Sequence, residues 1–448
     1  MNAAELLPRL AARHAEGRPL RVALLGTGAG ALHFAAQVRH LAGLHLVGVA
    51  TPDPDATRAA LLRTGWPAPA LGAASLHAAL SDGTTHLTRD AAALIATPGL
   101  EVVIEASASA SAGAANALLA FEYGRAVVMA NLATEALLGP LLARRAAAAG
   151  LVYSLPAGER PAALVELVSL ARTAGLPVVC AGASLAFHPA QRQATPDLPI
   201  LVAPFDHEQL TLGFVSPFEV TALADGTQLA LELAVAANAC GLHPQAGGLR
   251  WPSGRLADLP SLMRPEAVGG RLAREATLEG VANLDGNGEP LDGAMPHGVF
   301  VVVTTPDPAT GASLAALGLP TDPSGRYAAL VRADLLGGMA LSTSVLAVGL
   351  TQTPTGVAQG FFGEVIAVAR RDLAEGEALD GAGGFTCYGD LVPASEALER
   401  AWLPLGLAHG VVTRHPIATG QPLGWDDVFY ETTNPTVRLR RLMERTLR

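Results

Sequence analysis

The chain has 448 residues, enough for two or three hydrophobic cores at the usual ~100 to 200 residues per domain. Half of the residues are hydrophobic, yet no apolar run reaches the ~18 residues of a membrane span and no charged segment leads into an apolar core at the N-terminus, so a cytoplasmic protein without a membrane partner is expected. A formal net charge of -10, with basic residues bunched only from Arg438 to Arg445, argues against nucleic acid and toward a small-molecule substrate.

After an amphipathic opening helix, Leu20 to Leu25 is a short apolar run, followed by Gly26, Gly28, Gly30 and Ala31 and then an apolar helical stretch toward Leu41. This is a strand, a glycine turn and a helix. A second apolar run, Leu44 to Ala50, stands where the next strand of a βαβ unit belongs. A helix from Pro54 to Arg63, a strand from Glu101 to Glu105, a helix from Ala112 to Tyr123 and a strand from Ala126 to Ala130 continue the alternation of a doubly wound parallel sheet.

Leu151 to Ser154 reads as a further strand and Ala162 to Thr173 as a helix. From about 180 to 300, many Gly, Pro and Asp breaks surround one clear helix, Gln228 to Ala239, as in a substrate or oligomerisation domain. Val299 to Thr304 is β-branched, and Tyr327 to Val348 reads as apolar strand or helix. Beyond Gly363, short strands such as Glu364 to Ala369 alternate with glycine turns, the pattern of a small β-rich module. The expected architecture is α/β: a Rossmann domain over 1–155, a central α+β catalytic-type domain over 156–358 and a small β-rich module over 359–448, with a homo-oligomer as the expected assembly.

Gly26-x-Gly28-x-x-Ala31 is the dinucleotide fingerprint in its Gly/Ala form: the first glycine makes the turn, the second admits a pyrophosphate to the backbone and the small third residue lets helix and strand pack. Thr27 lies inside this turn. At the end of the second strand, where an acid would read the ribose of NAD, stands Thr51. A hydroxyl would not repel a 2'-phosphate, which tilts the choice toward NADP, but no arginine is nearer in sequence than Arg58, and Asp53 would serve if the strand ended later. The cofactor is thus NAD or NADP.

Glu105-Ala106-Ser107 and Asn131 close two further strands, at the edge where ligands bind in open α/β sheets; capping of the following helices explains Glu105 and Asn131 equally well. His188 and the loop pair Glu159 and Arg160 are candidates for proton transfer and anion binding. Cys180, Cys240 and Cys387 stand far apart and read as small buried hydrophobes; no Cys, His, Asp or Glu spacing suggests a metal.

The βαβ unit, Val128-Met129-Ala130-Asn131, Tyr153-Ser154 with Gly158-Glu159-Arg160-Pro161-Ala162, Thr195-Pro196-Asp197 and Asp225-Gly226-Thr227 resemble the homoserine dehydrogenase-like oxidoreductases that include deoxyxylulose-phosphate reductoisomerase-like proteins. Ala369 to Leu373, Leu403 to His409 and Trp425 to Val428 resemble their SAF module. The resemblance implies an NAD(P)-dependent dehydrogenase or reductoisomerase acting on a small polar hydroxy-carbonyl compound, with Gly26, Gly28, Asn131, Glu166, Asp197, Asp225 and Thr227 retained. On this footing Glu159, Asp225, His188 and Asn131 are the candidates for chemistry.

The resemblance also implies lysines where this chain has Ala183, Ala186 and Gln228, and an acid where it has Ala133, before Glu135. The chain contains no lysine at all, and none of these positions became arginine. The pocket is therefore expected to be more apolar than a phosphate site, so a sugar-phosphate reductoisomerase is not expected. An isomerase or lyase with tightly held NAD(P), or a catalytically silent dinucleotide-binding or scaffold protein, is the alternative.

Overall fold

The computed structural model describes residues 3–197, 216–295 and 297–447. Contacts divide it into two units: residues up to Ala162 with Leu336–Val357, and Ala163–Leu335 with Ala358 onward.

The first unit holds six strands, β1 (Leu20–Leu25), β2 (Leu44–Ala50), β3 (His86–Thr88), β4 (Val102–Glu105), β5 (Ala126–Met129) and β6 (Tyr153–Ser154), in the order β3-β2-β1-β4-β5-β6. All neighbours are parallel. This is the Rossmann order, with its reversal between β1 and β4. The strands read as continuous apolar runs because helices cover both faces; Val22, Leu24, Val102, Ile104 and Val128 lie in one core with Phe34, Leu61 and Trp66. The short β3 carries two polar residues of three, which hid it from the sequence pattern.

The segment Leu336–Val357 returns to this unit. The run Tyr327 to Val348 is broken at Asp334 and Gly337-Gly338: its first part is a strand and its second a helical stretch, Leu341–Leu346, continued by a π-turn, Ala347–Thr351. Leu341, Val345, Leu346, Ala347 and Val348 enter the same core as β1. Buried hydroxyls pin the segment: Ser344 Oγ accepts from Ala157 N at 2.7 Å and lies 2.6 Å from Thr355 Oγ1, itself 3.0 Å from Ser154 Oγ. Three consecutive domains were expected; the apolar face of this segment makes the first unit discontinuous instead.

In the second unit, β7 (Val178–Leu185), β8 (His243–Pro244), β9 (Thr277–Ala282), β10 (Val299–Thr304) and β11 (Tyr327–Arg332) form a mixed sheet in the order β11-β10-β7-β9-β8. Period-2 alternation sends Ala181, Ala183, Val299, Val301 and Val303 to a core shared with helix Thr227–Cys240, and Cys180, Phe300 and Val302 to a second core, which Val179 also enters because the β7–β10 register shifts beside it. The C-terminal β12 (Gly363–Ala369) and β13 (Cys387–Pro393) form an antiparallel pair. Their Val365, Ala367 and Leu391 join the first of these cores, so the β-rich module shares its interior with the central segment.

The basic tail is a helix, Pro435–Thr446, folded onto the unit: Arg440 is buried against Glu364 and Glu444, and Arg441 stacks 3.5 Å from the Trp425 ring. All three cysteines are buried and reduced, and burial pushes the Cys240 and Cys387 thiols up to about 12. No single helix among the described residues is long and apolar enough to cross a membrane.

Candidate functional site

The reversal between β1 and β4 opens the crevice where ligands of such sheets bind. Leu25, the last residue of β1, pairs with Glu105, the last of β4. Gly26 follows with φ +98°, and a Cβ there would stand 2.2 Å from Ala106 O, so only glycine admits the β4 loop so close. Gly28, by contrast, has nothing within 4 Å of a Cβ position and is exposed: this backbone is open to an approaching group. It starts helix Ala29–Val38 with no side-chain cap, leaving the first N–H groups of that helix to a ligand or water. Thr27 is half-buried beside it, and Ala31 packs into the core.

Glu105, Ser107 and Asn131 meet in one network. The Glu105 carboxylate accepts from Ser107 N (2.8 Å), the Ser107 hydroxyl and Asn116 Nδ2 (2.8 Å). Asn131 Nδ2 donates to Ser109 O (3.0 Å) and Ser107 Oγ (3.3 Å), while its Oδ1 accepts from Thr134 N and caps helix Leu132–Ala148. Both side chains therefore brace the two loops at the strand ends, and Asn131 does cap its helix. A neighbouring pair was not anticipated: Glu135 is enclosed, accepts from the Tyr153 hydroxyl, and burial pushes its carboxyl up to about 7. Gly139, one turn on, leaves the space that this carboxylate fills.

At the outer end of the crevice, Thr51 is buried and its Oγ1 accepts from Thr57 Oγ1 (3.0 Å) and Asp53 N (3.3 Å), so it is turned inward. Asp53 caps helix Pro54–Arg63. Thr51 N donates to Thr88 O at 2.9 Å, which sets the end of β3 beside that of β2. Arg89 follows, exposed, with its Nε donating to Pro52 O at 2.9 Å. Arg58, the sequence-nearest arginine, is held by Leu71 O. Arg89 was missed because β3 itself was.

Glu159 lies beside the glycine turn. Its Oε1 is 4.0 Å from where a Cβ on Gly30 would stand and 3.7 Å from the same point on Gly337. Gly158 (φ +87°) and Gly338 make this close packing possible: a Cβ on Gly338 would meet Gly30 O at 2.0 Å.

In the second unit, Asp225 is fully buried and ion-paired with Arg370, and Thr227 N donates to its Oδ1 at 2.8 Å. Burial lifts the carboxyl above its usual range; the Arg370 guanidinium opposes the lift. Arg370 also donates to Arg192 O and Cys387 O, and Thr227 Oγ1 accepts from Gly389 N. The Asp225-Gly226-Thr227 motif, a candidate for chemistry, thus ties helix Thr227–Cys240 to β13 and to Arg370 just past β12. His188 caps the turn Pro189–Gln193, with Nδ1 accepting from Ala190 N at 3.2 Å and Nε2 3.3 Å from Gly286 O. Glu166 pairs with Arg332 on the surface, and Gln228 donates to Glu232. Ala183 faces the core from β7. The described residues hold no cluster of three metal-ligating groups.

The parallel sheet and its glycine turn make the first unit a Rossmann-type α/β fold. Residues 158–336 match the family described as oxidoreductase DRL, catalytic domain, and residues 364–428 match the SAF domain. Neither description names homoserine dehydrogenase. No curated protein matches the chain.

Similar solved structures include biliverdin reductase in complex with biliverdin and NADP+ from Synechocystis sp. PCC 6803, at 21% identity over 38% of this chain and 48% of that one, TM-score 0.26. They also include DOX-P reductoisomerase in complex with NADPH, fosmidomycin and magnesium, at 14% identity over 50% and 59%, TM-score 0.35. A third is a probable dehydrogenase from Thermotoga maritima, at 12% identity over 76% and 91%, TM-score 0.38. The chain spans about half the length of the first of these and less than two thirds of the second.

Proposed function

We propose that the protein is an NAD(P)-dependent oxidoreductase acting on a small polar hydroxy or carbonyl compound other than a sugar phosphate, of the homoserine dehydrogenase-like kind. The observation that carries this reading is the open backbone at Gly28, set at the start of an uncapped helix and at the reversal of the sheet. A bound nicotinamide dinucleotide supplies the hydride chemistry. The chain's own part is to take the pyrophosphate on the N–H groups after Gly28, to hold the strand-end loops through Glu105, Ser107 and Asn131, and to move a proton. His188 and Glu159 remain the groups for that transfer, since Asp225 is enclosed. The enclosure of Asp225 and the alanines at 133, 183 and 186 favour a second reading, a dinucleotide-binding protein without turnover.

NAD or NADP is expected to raise the melting temperature in a concentration-dependent way, by about 2.7 kcal/mol of added stability at a hundred times Kd. Gly28→Asp puts a carboxylate where the pyrophosphate approaches and should abolish the shift, with the ligand-free melting temperature unchanged because the new side chain meets nothing. Calorimetric titration checks both; if neither dinucleotide shifts melting of the unmodified chain, the reading fails. Turnover with either coenzyme separates the first reading from the second.

With Thr51 turned inward, the two dinucleotides should bind the unmodified chain within roughly tenfold of each other. Arg89→Ala should weaken NADP by about tenfold or more and leave NAD unchanged, as expected for losing one charge-assisted hydrogen bond to a phosphate. Equal loss for both coenzymes would remove Arg89 from this role.

A further inference from the structure

The opposite edge of the parallel sheet carries a cavity of about 370 Å³, lined by Gly99, Glu101, Arg125, Leu151, Gly349 and Gln352 among others. It sits where β4 and β5 begin, whereas the glycine turn lies where β1 ends, so it is separate from the proposed coenzyme crevice. Its volume is in the ~300 to 1,000 Å³ range of small-ligand pockets.

The charges around it do not balance. Glu101 is taken by Arg13, which grips both carboxylate oxygens at 2.8 Å, and by Arg21 N at 3.2 Å. The Arg21 guanidinium has no acceptor among the described residues, and its Nε is wholly buried. It stands against the cavity rim, with Nη1 2.8 Å from where a Cβ on Gly99 would be; glycine there, at φ +78°, gives it room. Arg125 donates Nη2 to Thr97 O (2.9 Å) and Nε to Ile95 O (3.4 Å), leaving Nη1 without an acceptor among the described residues. Burial pulls its pKa below the usual guanidinium range, and no carboxylate pulls it back.

Nearby His45 is held below its usual pKa mainly by burial, with the Thr84 carbonyl opposing and Arg21 adding to the effect. Helix-end carbonyls, which would repel an anion, are turned onto Arg125. Arg125 therefore lines the cavity, Arg21 stands just behind Gly99 at its rim, and the one carboxylate among the described lining residues, Glu101, is already paired, in a protein whose net charge is -10. Arg21 Nε is a buried donor that calls for an acceptor, and the spare N–H groups of the two half-buried guanidiniums are there for an anion to take.

We propose that this cavity binds a small oxyanion, a carboxylate or a phosphate ester, through Arg21 and Arg125. The ligand's oxygens take up the vacant N–H groups, while Gly99 and Gly124 keep the rim free of side chains. The loops before β4 and β5 and the returning segment at Gly349 and Gln352 supply its walls, so an occupant braces the join between that segment and the sheet.

The test is calorimetric titration and thermal melting of the full chain with inorganic phosphate and, in a second arm, citrate, each at fixed ionic strength against chloride. Saturable binding in the millimolar range is expected. Arg21→Gln, which breaks no side-chain hydrogen bond, should weaken it about tenfold or more. Arg125→Gln should do the same, and Gly28→Asp, which blocks the glycine turn, should leave it intact. The tighter of the two probes assigns the ligand to the phosphates or the carboxylates. No saturable effect at tens of millimolar, retention in both arginine variants, or loss only in Gly28→Asp would overturn the proposal.

Discussion

Asp225→Asn is expected to destabilise the second unit by about 3 to 5 kcal/mol, the usual result of leaving one member of a buried ion pair uncompensated. Asp225 and Arg370 are both almost fully enclosed, and Arg370 has lost its water to carbonyls of Arg192 and Cys387 as well as to the carboxylate. The amide keeps one acceptor for Thr227 N but cannot match the guanidinium charge. Urea unfolding followed by tryptophan fluorescence measures this unit, since Trp251, Trp402 and Trp425 of the four tryptophans belong to it. Asp225→Asn combined with Arg370→Met should recover much of the loss. A variant of unchanged stability would mean that the pair is replaceable by water and that Asp225 is free to act on a ligand.

Stability should also fall as pH rises from 5 to 8. Burial raises Glu135 and Glu279 from an ordinary 4.5 to about 7, so the folded protein holds these protons more tightly than the unfolded chain does. Their contribution is complete below about 4.5 and is lost as pH climbs through 7, at a cost on the order of 3 kcal/mol for each group. Glu364 shifts in the same direction, with Arg440 opposing.

Glu135→Gln keeps an acceptor for the Tyr153 hydroxyl and removes the titration. At pH 8 it should therefore exceed the parent by roughly 1 to 3 kcal/mol, with the difference vanishing near pH 5. Calorimetric melting across this range checks the direction. Stability that rises toward pH 8 in the parent, or a variant that runs parallel to it, would show that Glu135 is ionised in the folded state.

The Rossmann half was legible because its signals are local. Apolar runs of strand length, a glycine turn and helices between them fix β1, β2, β4 and β5 to within a residue or two. Two of the three residues of β3 are polar, and with that strand went Arg89. The site was less legible than the sheet. Glu105, Asn131 and Asp225 carry the residue types of an active centre, yet each is bonded to a group that its own position does not reveal: Asn116, Ser109 and Arg370. Position along the chain cannot tell a carboxylate that faces substrate from one that faces a guanidinium in the core. Separation along the chain hid the return of Leu336–Val357, whose apolar face reads equally well as part of a central domain.

That return has a bearing on how the chain is made. The sheet of the first unit is complete once Ser154 has left the ribosome, but Leu341, Val345 and Val348, which close its core, follow nearly two hundred residues later. At about 5 to 20 residues per second the nascent sheet waits roughly 10 to 40 s with part of its apolar surface uncovered. A chaperone that binds such surface has that interval in which to act.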